Sequence, residues 1–248
     1  MKQTRLIMGM PVTLEIVDDS ARQEIFDRVF TYFESIDEKF STYKAGSEIS
    51  RVNRHELAPE ETSAEMKTVF ALAERVRRKT KGYFNIRRGD IIDPSGLVKG
   101  WAIFHAAEMI RQSGIGNFYV EAGGDFQVVG KNYQGQNWRM GIRSPFNMDE
   151  IVKVLSISDC GVATSGTYIR GQHIYNPKEQ TTQINDIVSL TVIGPDVYQA
   201  DCYATATFAM GRKGIAFIEM QKGFEGYLID CDQKATYTSG FKRYLPHD

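Results

Sequence analysis

Residues 117–157, NFYVEAGGDFQVVGKNYQGQNWRMGIRSPFNMDEIVKVLSI, decide the fold class. Four short apolar strands are predicted within this stretch, at Asn117 to Glu121, Asp125 to Val129, Trp138 to Ile142 and Val152 to Ile157. Only turn residues separate them, whereas a doubly wound sheet places a helix between successive strands. The stretch therefore favours an α+β fold, with mixed or antiparallel sheets packed against helices.

Further elements are predicted on both sides of this run of strands. Apolar residues at helical spacing predict helices at Ala21 to Phe40, Thr62 to Lys81, Leu97 to Gln112, Val197 to Met210 and Gly214 to Met220. Further strands are predicted at Leu6 to Val17 (interrupted by Gly9 and Pro11), Ile187 to Ile193, Glu225 to Ile229 and Ala235 to Thr238. Because no linker or low-complexity tract divides the sequence, we expect one domain over residues 1–248.

Composition and charge exclude several broad classes of function. The chain has 248 residues, 42% of them hydrophobic, and a net charge of −1, which provides no broad basic surface for nucleic acid. No apolar run approaches the roughly 20 residues of a membrane span, and the first residues do not resemble a signal peptide. Three well-separated cysteines argue against a disulfide framework and suit a reducing compartment. We therefore expect a cytoplasmic protein that does not insert into membranes.

The common short motifs of enzymes are missing from the sequence. It contains no phosphate-binding GxxxxGK[ST] loop, no GxGxxG, no HExxH and no GxSxG. The four histidines do not show the spacing of metal ligands. Function must therefore be sought in less familiar segments.

Three segments combine glycine with small polar residues. Asp93 to Gly100 opens a predicted helix, whose N-terminus could bind phosphate or could simply be capped by Asp93 or Ser95. Glu121 to Asp125 could bring backbone close to a ligand or form a plain turn. Gly161 to Tyr168, followed by His173 to Pro177, could line a nucleotide pocket or form a polar hairpin.

A fourth segment, Ala200 to Thr207, carries potential metal ligands. Asp201 and Thr205 stand four residues apart on a predicted helix, so both side chains lie on one face. Carboxylate and hydroxyl oxygens suit Mg²⁺. In the alternative interpretation, Asp201 starts the helix and Thr205 bonds back to a carbonyl of the preceding turn.

Taken in order, these segments and three others resemble the ApbE family of FAD:protein FMN transferases. The similar stretches are Ile7-Met8-Gly9-Met10, Phe40 to Tyr43 with Ser47 to Asn53, Phe84-Asn85-Ile86, Gly96 to Ala102, Gly123-Gly124-Asp125, Ala163 to Gly166 with His173 to Pro177, and Ala200 to Ala206. The resemblance implies an enzyme that splits FAD at its pyrophosphate, attaches FMN to a Ser or Thr hydroxyl of a target flavoprotein, and releases AMP.

The resemblance also implies roles for individual residues. Mg²⁺, or alternatively Mn²⁺, would be bound by Asp201, Thr205 and the backbone carbonyl of Gly96. Contacts to FAD are expected from Met8, Tyr43, Tyr83, Phe84, Asn85, Asp93, Lys99 and Ile174. Lys99 would add positive field at the pyrophosphate, and His173 is either the base for the acceptor hydroxyl or a structural histidine.

Two departures from the family pattern bear on activity. Asn85 and Asn176 stand where the family has aspartates, and the segment between Asn85 and Asp93 is shorter than usual. Three alternatives therefore stay open: a metal-dependent FAD hydrolase that yields FMN and AMP, a non-catalytic flavin-binding protein, and a scaffold with a degenerate site.

Overall fold

The computed structural model of the chain describes residues 1–167, 174–181 and 184–246. Its strands are β1 Lys2–Ile7, β2 Met10–Ile16, β3 Arg87–Arg88, β4 Ile91–Ile92, β5 Phe118–Ala122, β6 Asp125–Val129, β7 Trp138–Arg143, β8 Ile151–Ile157, β9 Cys160–Gly166, β10 Ile187–Gly194, β11 Glu225–Asp230 and β12 Ala235–Tyr237. Its α-helices are α1 Gln23–Phe40, α2 Glu48–Asn53, α3 Ala64–Lys79, α4 Ser95–Arg111, α5 Val197–Ala209 and α6 Gly214–Glu219.

One large sheet organises the molecule. Eight strands pair in the order β1-β2-β5-β6-β9-β10-β11-β12, while β3–β4 and β7–β8 form separate two-stranded hairpins. Every strand pairing among the described residues is antiparallel. The predicted α+β class is therefore confirmed.

The large sheet is covered on both faces. Successive side chains of a strand point to opposite faces, and β5 shows this clearly. Phe118 and Val120 pack into a core shared with α1 to α5, whereas Tyr119 packs with Trp138, Met140 and the rest of the β7–β8 hairpin. Helices thus form one outer layer, and the β7–β8 hairpin covers part of the other face.

The prediction of a single strand over Leu6 to Val17 is wrong. The chain turns back at Met8 and Gly9, so that β1 and β2 pair directly, with Ile7 opposite Met10. Both turn residues have positive φ, +56° and +71°, as a two-residue type I′ turn requires. The glycine was read as an interruption of one strand, although it marks the turn between two.

Helices α4 and α5 pack closely at the centre of the helical layer. A Cβ atom added to Gly100 of α4 would lie 2.8 Å from Cβ of Asp201 and 2.9 Å from Cα of Tyr198, both on α5. Because only glycine allows this approach, the start of α4 lies directly against the start of α5.

No helix in the described ranges is long and apolar enough to span a membrane. That residues 1–248 form one domain stays a prediction.

Candidate active site

A cleft of about 1030 Å³ lies beside the start of α4. The structure brings eleven of the predicted site residues to its walls: Met8, Tyr43, Tyr83, Phe84, Asn85, Asp93, Gly96, Lys99, Ile174, Asp201 and Thr205. They come from segments scattered over most of the chain, and their individual roles stay predictions. The twelfth, His173, lies outside the described residues.

Lys99 lies between two carboxylates at the centre of the cleft. Its Nζ atom is 2.7 Å from Oδ2 of Asp125 and 3.7 Å from Oδ1 of Asp201. Both carboxylate side chains are almost fully buried, at 1% and 5% exposure, while that of Lys99 is 18% exposed. Buried charges require such pairing. Here one positive and two negative charges lie together near the N-terminal end of α4.

Asp201 and Thr205 lie next to the first turn of α4, as their predicted shared face requires. Oδ2 of Asp201 accepts a hydrogen bond from the backbone N–H of Gly100 at 3.0 Å. A Cβ atom on Gly96 would stand only 3.3 Å from Oγ1 of Thr205, so backbone and hydroxyl are close neighbours. The absence of a side chain at Gly96 keeps this space open.

The oxygen atoms gathered here fit a hard divalent cation. A carboxylate, a hydroxyl and a backbone carbonyl are the kinds of donor that Mg²⁺ accepts, and Mg²⁺ usually keeps several waters besides. Within the described part of the chain, no three His, Cys, Asp or Glu side chains gather as metal ligands. A metal at Asp201 would therefore depend on Thr205, Gly96 and water.

Asp125 is a central residue to which the sequence prediction gave no role, although its motif was noted. The preceding Gly123 and Gly124 have φ of +58° and +91° and form the two-residue turn between β5 and β6. This turn directs Asp125 inward, where Oδ1 accepts from the N–H of Thr164 at 3.1 Å and Oδ2 meets Lys99. The signal in the sequence was an acidic residue directly after paired glycines.

Glu121, at the end of β5, is a second carboxylate of the cleft that was not predicted as a site residue. One of its oxygens accepts a hydrogen bond from the N–H of Gly124 at 2.7 Å. Burial raises the pKa of Glu121, against the hydrogen bonds from Gly124 and Thr13, which lower it. The neighbouring Asp125 also raises this pKa. Glu121 therefore retains a proton at higher pH than an ordinary glutamate.

The motif Ser47 to Asn53 acts on the cleft indirectly. Ser47 caps α2 by accepting from the N–H of Ser50 at 3.1 Å. At the other end of α2, the side chain of Asn53 donates to the carbonyl of Ile92 at 2.9 Å and accepts from its N–H at 2.8 Å. This pair of bonds fixes β4 immediately before Asp93, and so positions one wall of the cleft.

Tyr43 and Met8 stand at the mouth of the cleft. The side chain of Tyr43 is 98% exposed, so its ring is available to a ligand rather than engaged in the core. Met8 occupies the left-handed region, which is uncommon for a residue with a side chain and is often found at functional sites. The φ of Met8 follows from the turn between β1 and β2, and the contacts of both residues to FAD stay predictions.

The two asparagines that replace family aspartates make local turns. Oδ1 of Asn85 accepts from the N–H of Arg87 at 3.0 Å, and Oδ1 of Asn176 accepts from the N–H of Lys178 at 2.9 Å. An aspartate oxygen could accept the same bonds, because Asn and Asp share this turn chemistry. Asparagine and aspartate at either position would therefore support the same local backbone and differ in charge.

The fold of this chain resembles those of solved flavin transferases. The chain superimposes on the flavin transferase ApbE from Vibrio cholerae with a TM-score of 0.87 at 23% identity, covering 99% of both chains. It superimposes on the flavinyl transferase ApbE from Pseudomonas stutzeri with a TM-score of 0.85 at 19% identity, covering 100% of this chain and 97% of that one. At these identities the likeness establishes the fold.

The sequence of this chain is similar to those of FAD:protein FMN transferases. The FAD:protein FMN transferase of Vibrio cholerae is 25% identical over 291 residues, covering 93% of this chain and 86% of the relative. The FAD:protein FMN transferase of Salmonella typhimurium is 25% identical over 303 residues, covering 94% and 85%.

The family model is the decisive comparison, because it matches most of the chain. The model of the ApbE family matches residues 8–93 and 87–228, and these ranges contain every predicted site residue. The two matched pieces meet at the β3–β4 hairpin. The chain therefore belongs to the ApbE family.

Proposed function

We propose that this chain is an FAD:protein FMN transferase that requires Mg²⁺, transfers FMN from FAD to a Ser or Thr hydroxyl of a target flavoprotein, and releases AMP. The observation that carries the proposal is the placement of Lys99 between Asp125 and Asp201, beside Thr205 and Gly96, in a cleft of about 1030 Å³. The similarity to the FAD:protein FMN transferases of Vibrio cholerae and Salmonella typhimurium supports it.

The shape and lining of the cleft suit FAD as substrate. Its volume lies at the upper end of the roughly 300–1,000 Å³ typical of small-molecule sites, as a dinucleotide requires. Aromatic and apolar side chains at one end, Tyr43, Tyr83 and Ile174 among them, can hold a ring system. The charged centre at Lys99 can hold phosphate oxygens. FAD would thus lie with its pyrophosphate at the start of α4.

The proposed reaction breaks the phosphoanhydride of FAD and forms a phosphodiester with the acceptor hydroxyl. The acceptor hydroxyl oxygen attacks the phosphorus of the FMN half, a new P–O bond forms, and the P–O bond to the AMP phosphate breaks. The hydroxyl proton passes to a base, and AMP leaves with the electron pair of the broken bond. Bound Mg²⁺ would neutralise pyrophosphate charge and stabilise the leaving phosphate.

The residues of the chain contribute mainly position and charge, which are the main requirements of phosphoryl transfer. Lys99 is held by Asp125 and can keep its ammonium group directed at a phosphate oxygen. Asp201 is held by the N–H of Gly100, so its other oxygen keeps a fixed direction. His173 stays the proposed base, and it lies outside the described residues. A cytoplasmic location also stays a prediction.

The test is incubation of the protein with FAD and Mg²⁺, with nucleotides separated by chromatography. An acceptor polypeptide carrying one Ser or Thr is added in parallel with a control in which that residue is Ala. We expect slow AMP release alone, faster release with the hydroxyl acceptor, and an FMN-sized mass increase on that acceptor only. A docked hydroxyl gains over water from proximity, by up to roughly 7–11 kcal/mol in well-oriented systems.

Two outcomes would replace the proposal with one of the alternatives. Rapid AMP release that no acceptor accelerates would indicate an FAD hydrolase. Tight FAD binding without AMP release under Mg²⁺ or Mn²⁺ would indicate a flavin-binding protein.

A further inference from the structure

The β3–β4 hairpin contributes Arg88 to the wall of the cleft. The two pieces of the family match overlap at residues 87–93, which contain the whole hairpin: β3, its turn and β4. The alignment with the Vibrio cholerae relative covers 291 residues, more than the 248 of this chain, so that relative carries segments absent here. Here Gly89 and Asp90 alone connect the strands, with Gly89 at a φ of +59°. A two-residue turn therefore holds Arg88 beside β4, opposite Ile91.

Arg88 is the charged residue that this hairpin brings to the cleft. Its guanidinium lies 4.9 Å from the ring centroid of Tyr175, which follows the predicted FAD contact Ile174. Among the described residues, no carboxylate lies within ion-pair distance of Arg88. Arg88 lines the cleft, whereas its neighbour Arg87 does not.

This arrangement of Arg88 suits the binding of an anion rather than of a protein partner. The guanidinium lies over the ring of Tyr175 at 4.9 Å, and its N–H groups lie in the guanidinium plane. Such a fork matches two oxygens of one phosphate. The phosphates are the charged groups of FAD at neutral pH. A positive charge on the wall of an FAD site therefore has one chemical counterpart in the ligand.

We propose that Arg88 is a specificity-determining residue that binds a phosphate of the FAD pyrophosphate, a contact supplied by the short β3–β4 hairpin. This inference rests on the proposed function, because it takes FAD as the ligand. It predicts that Arg88 distinguishes phosphorylated flavins from riboflavin, which has the same ring system and no charge.

The test measures flavin affinity by fluorescence titration in the presence of EDTA, so that no turnover occurs. Arg88→Ala and Arg88→Gln are compared with the wild type and with the matched control Arg87→Ala, using FAD and riboflavin as ligands. Hydrogen bonds to charged groups contribute about 1.5–3 kcal/mol, so we expect roughly 10- to 100-fold weaker FAD binding in both Arg88 variants. Riboflavin affinity should change less than about twofold, which also shows that the pocket is folded.

Two results would overturn the proposal. Equal losses for FAD and riboflavin would mean that Arg88 stacks on the ring system, and an unchanged FAD affinity would mean that it faces solvent. A failure of the proposed function gives a different result. In that case the wild-type protein binds FAD but neither releases AMP nor modifies an acceptor. In that case the difference between FAD and riboflavin can still be measured.

Discussion

The backbone N–H of Gly100 on α4 donates a hydrogen bond to Oδ2 of Asp201 on α5, at 3.0 Å. This bond joins the two central helices at the point where the proposed metal and phosphate sites meet. It is possible because Gly100 has no side chain, since an added Cβ would lie 2.8 Å from Cβ of Asp201. The position of the Asp201 carboxylate therefore depends on the packing of α4 against α5 as well as on its own helix.

We expect Gly100→Ala to destabilise the fold and to weaken metal binding together. The new methyl group would also lie 2.9 Å from Cα of Tyr198 and from the carbonyl of Val197, so backbone must move. Overpacking of this kind costs about 1–3 kcal/mol. Urea unfolding measures the loss. Gly46→Ala is the control, because nothing lies within 4 Å of its added methyl group. Equal stability of both variants would contradict the close packing of α4 and α5.

Asp201→Asn should leave the fold intact and remove most activity. The amide oxygen can still accept from Gly100, and Lys99 keeps its ion pair with Asp125. Losing the charge should lower AMP release at limiting Mg²⁺ by roughly two orders of magnitude, the scale seen when one electrostatic group of an active site is removed. Asp196→Asn is the matched control, because Asp196 caps the same helix away from the cleft and asparagine caps equally well. An unchanged Mg²⁺ dependence in Asp201→Asn would exclude Asp201 from the metal site.

Lys99→Gln should destabilise the protein in a way that Mg²⁺ partly reverses. Without the ammonium, the buried carboxylates of Asp125 and Asp201 lose their shared cation, and breaking a buried pair costs about 3–5 kcal/mol. A divalent ion bound to the folded state would restore stability by mass action. Thermal unfolding with and without Mg²⁺ measures both effects. In the control Lys44→Gln, exposed ion pairs to Asp37 and Glu38 are lost, and little change is expected. A melting temperature of Lys99→Gln that ignores Mg²⁺ would contradict the prediction.

The fold could be predicted from the sequence where apolar periodicity is strong, and could not where close packing selects small residues. The strands between Asn117 and Ile157 are apolar and bounded by turn residues, and the structure confirms them. Strand β9, Cys160–Gly166, was not predicted as a strand, because its glycines, serine and threonine suggest a turn. In the structure β9 is central, and a Cβ on Gly161 would lie 2.0 Å from the backbone N of Val197. Contact with α5, a long-range effect, explains this composition.

For the candidate site, too, the sequence predicts local relationships between residues but not long-range ones. Asp201 and Thr205 could be paired from their spacing on one helix, which is local information. Asp125 could not be joined to Lys99 in this way, because the turn at Gly123 and Gly124 and the packing of the sheet against α4 bring them together. Arg88 could not be predicted, because it lies between the motifs that carry the family resemblance, Phe84 to Ile86 and Gly96 to Ala102.

The last prediction concerns the pH dependence of stability that Glu121 produces. Burial raises the pKa of Glu121 in the folded protein. Between the ordinary glutamate pKa, about 4.3, and the raised value, the folded state holds more protons than the unfolded state. Stability contributed by this group is therefore complete below the ordinary pKa and is lost as pH rises through the folded pKa.

Glu121→Gln removes the cost of burying an ionised carboxylate, and it keeps an oxygen that can accept from the N–H of Gly124. We expect the variant to melt above the wild type at pH 7 to 8, and equally near pH 4, with about 2–4 °C for each kcal/mol of difference. Glu219→Gln is a control of opposite sign, because hydrogen bonds from the side chain and backbone of Ser239 lower the pKa of Glu219. That variant should melt below the wild type at neutral pH and approach it in acid. If Glu121→Gln instead lost stability at neutral pH, the ionised carboxylate would be the favoured form in the fold, and the buried environment assigned to Glu121 would be wrong.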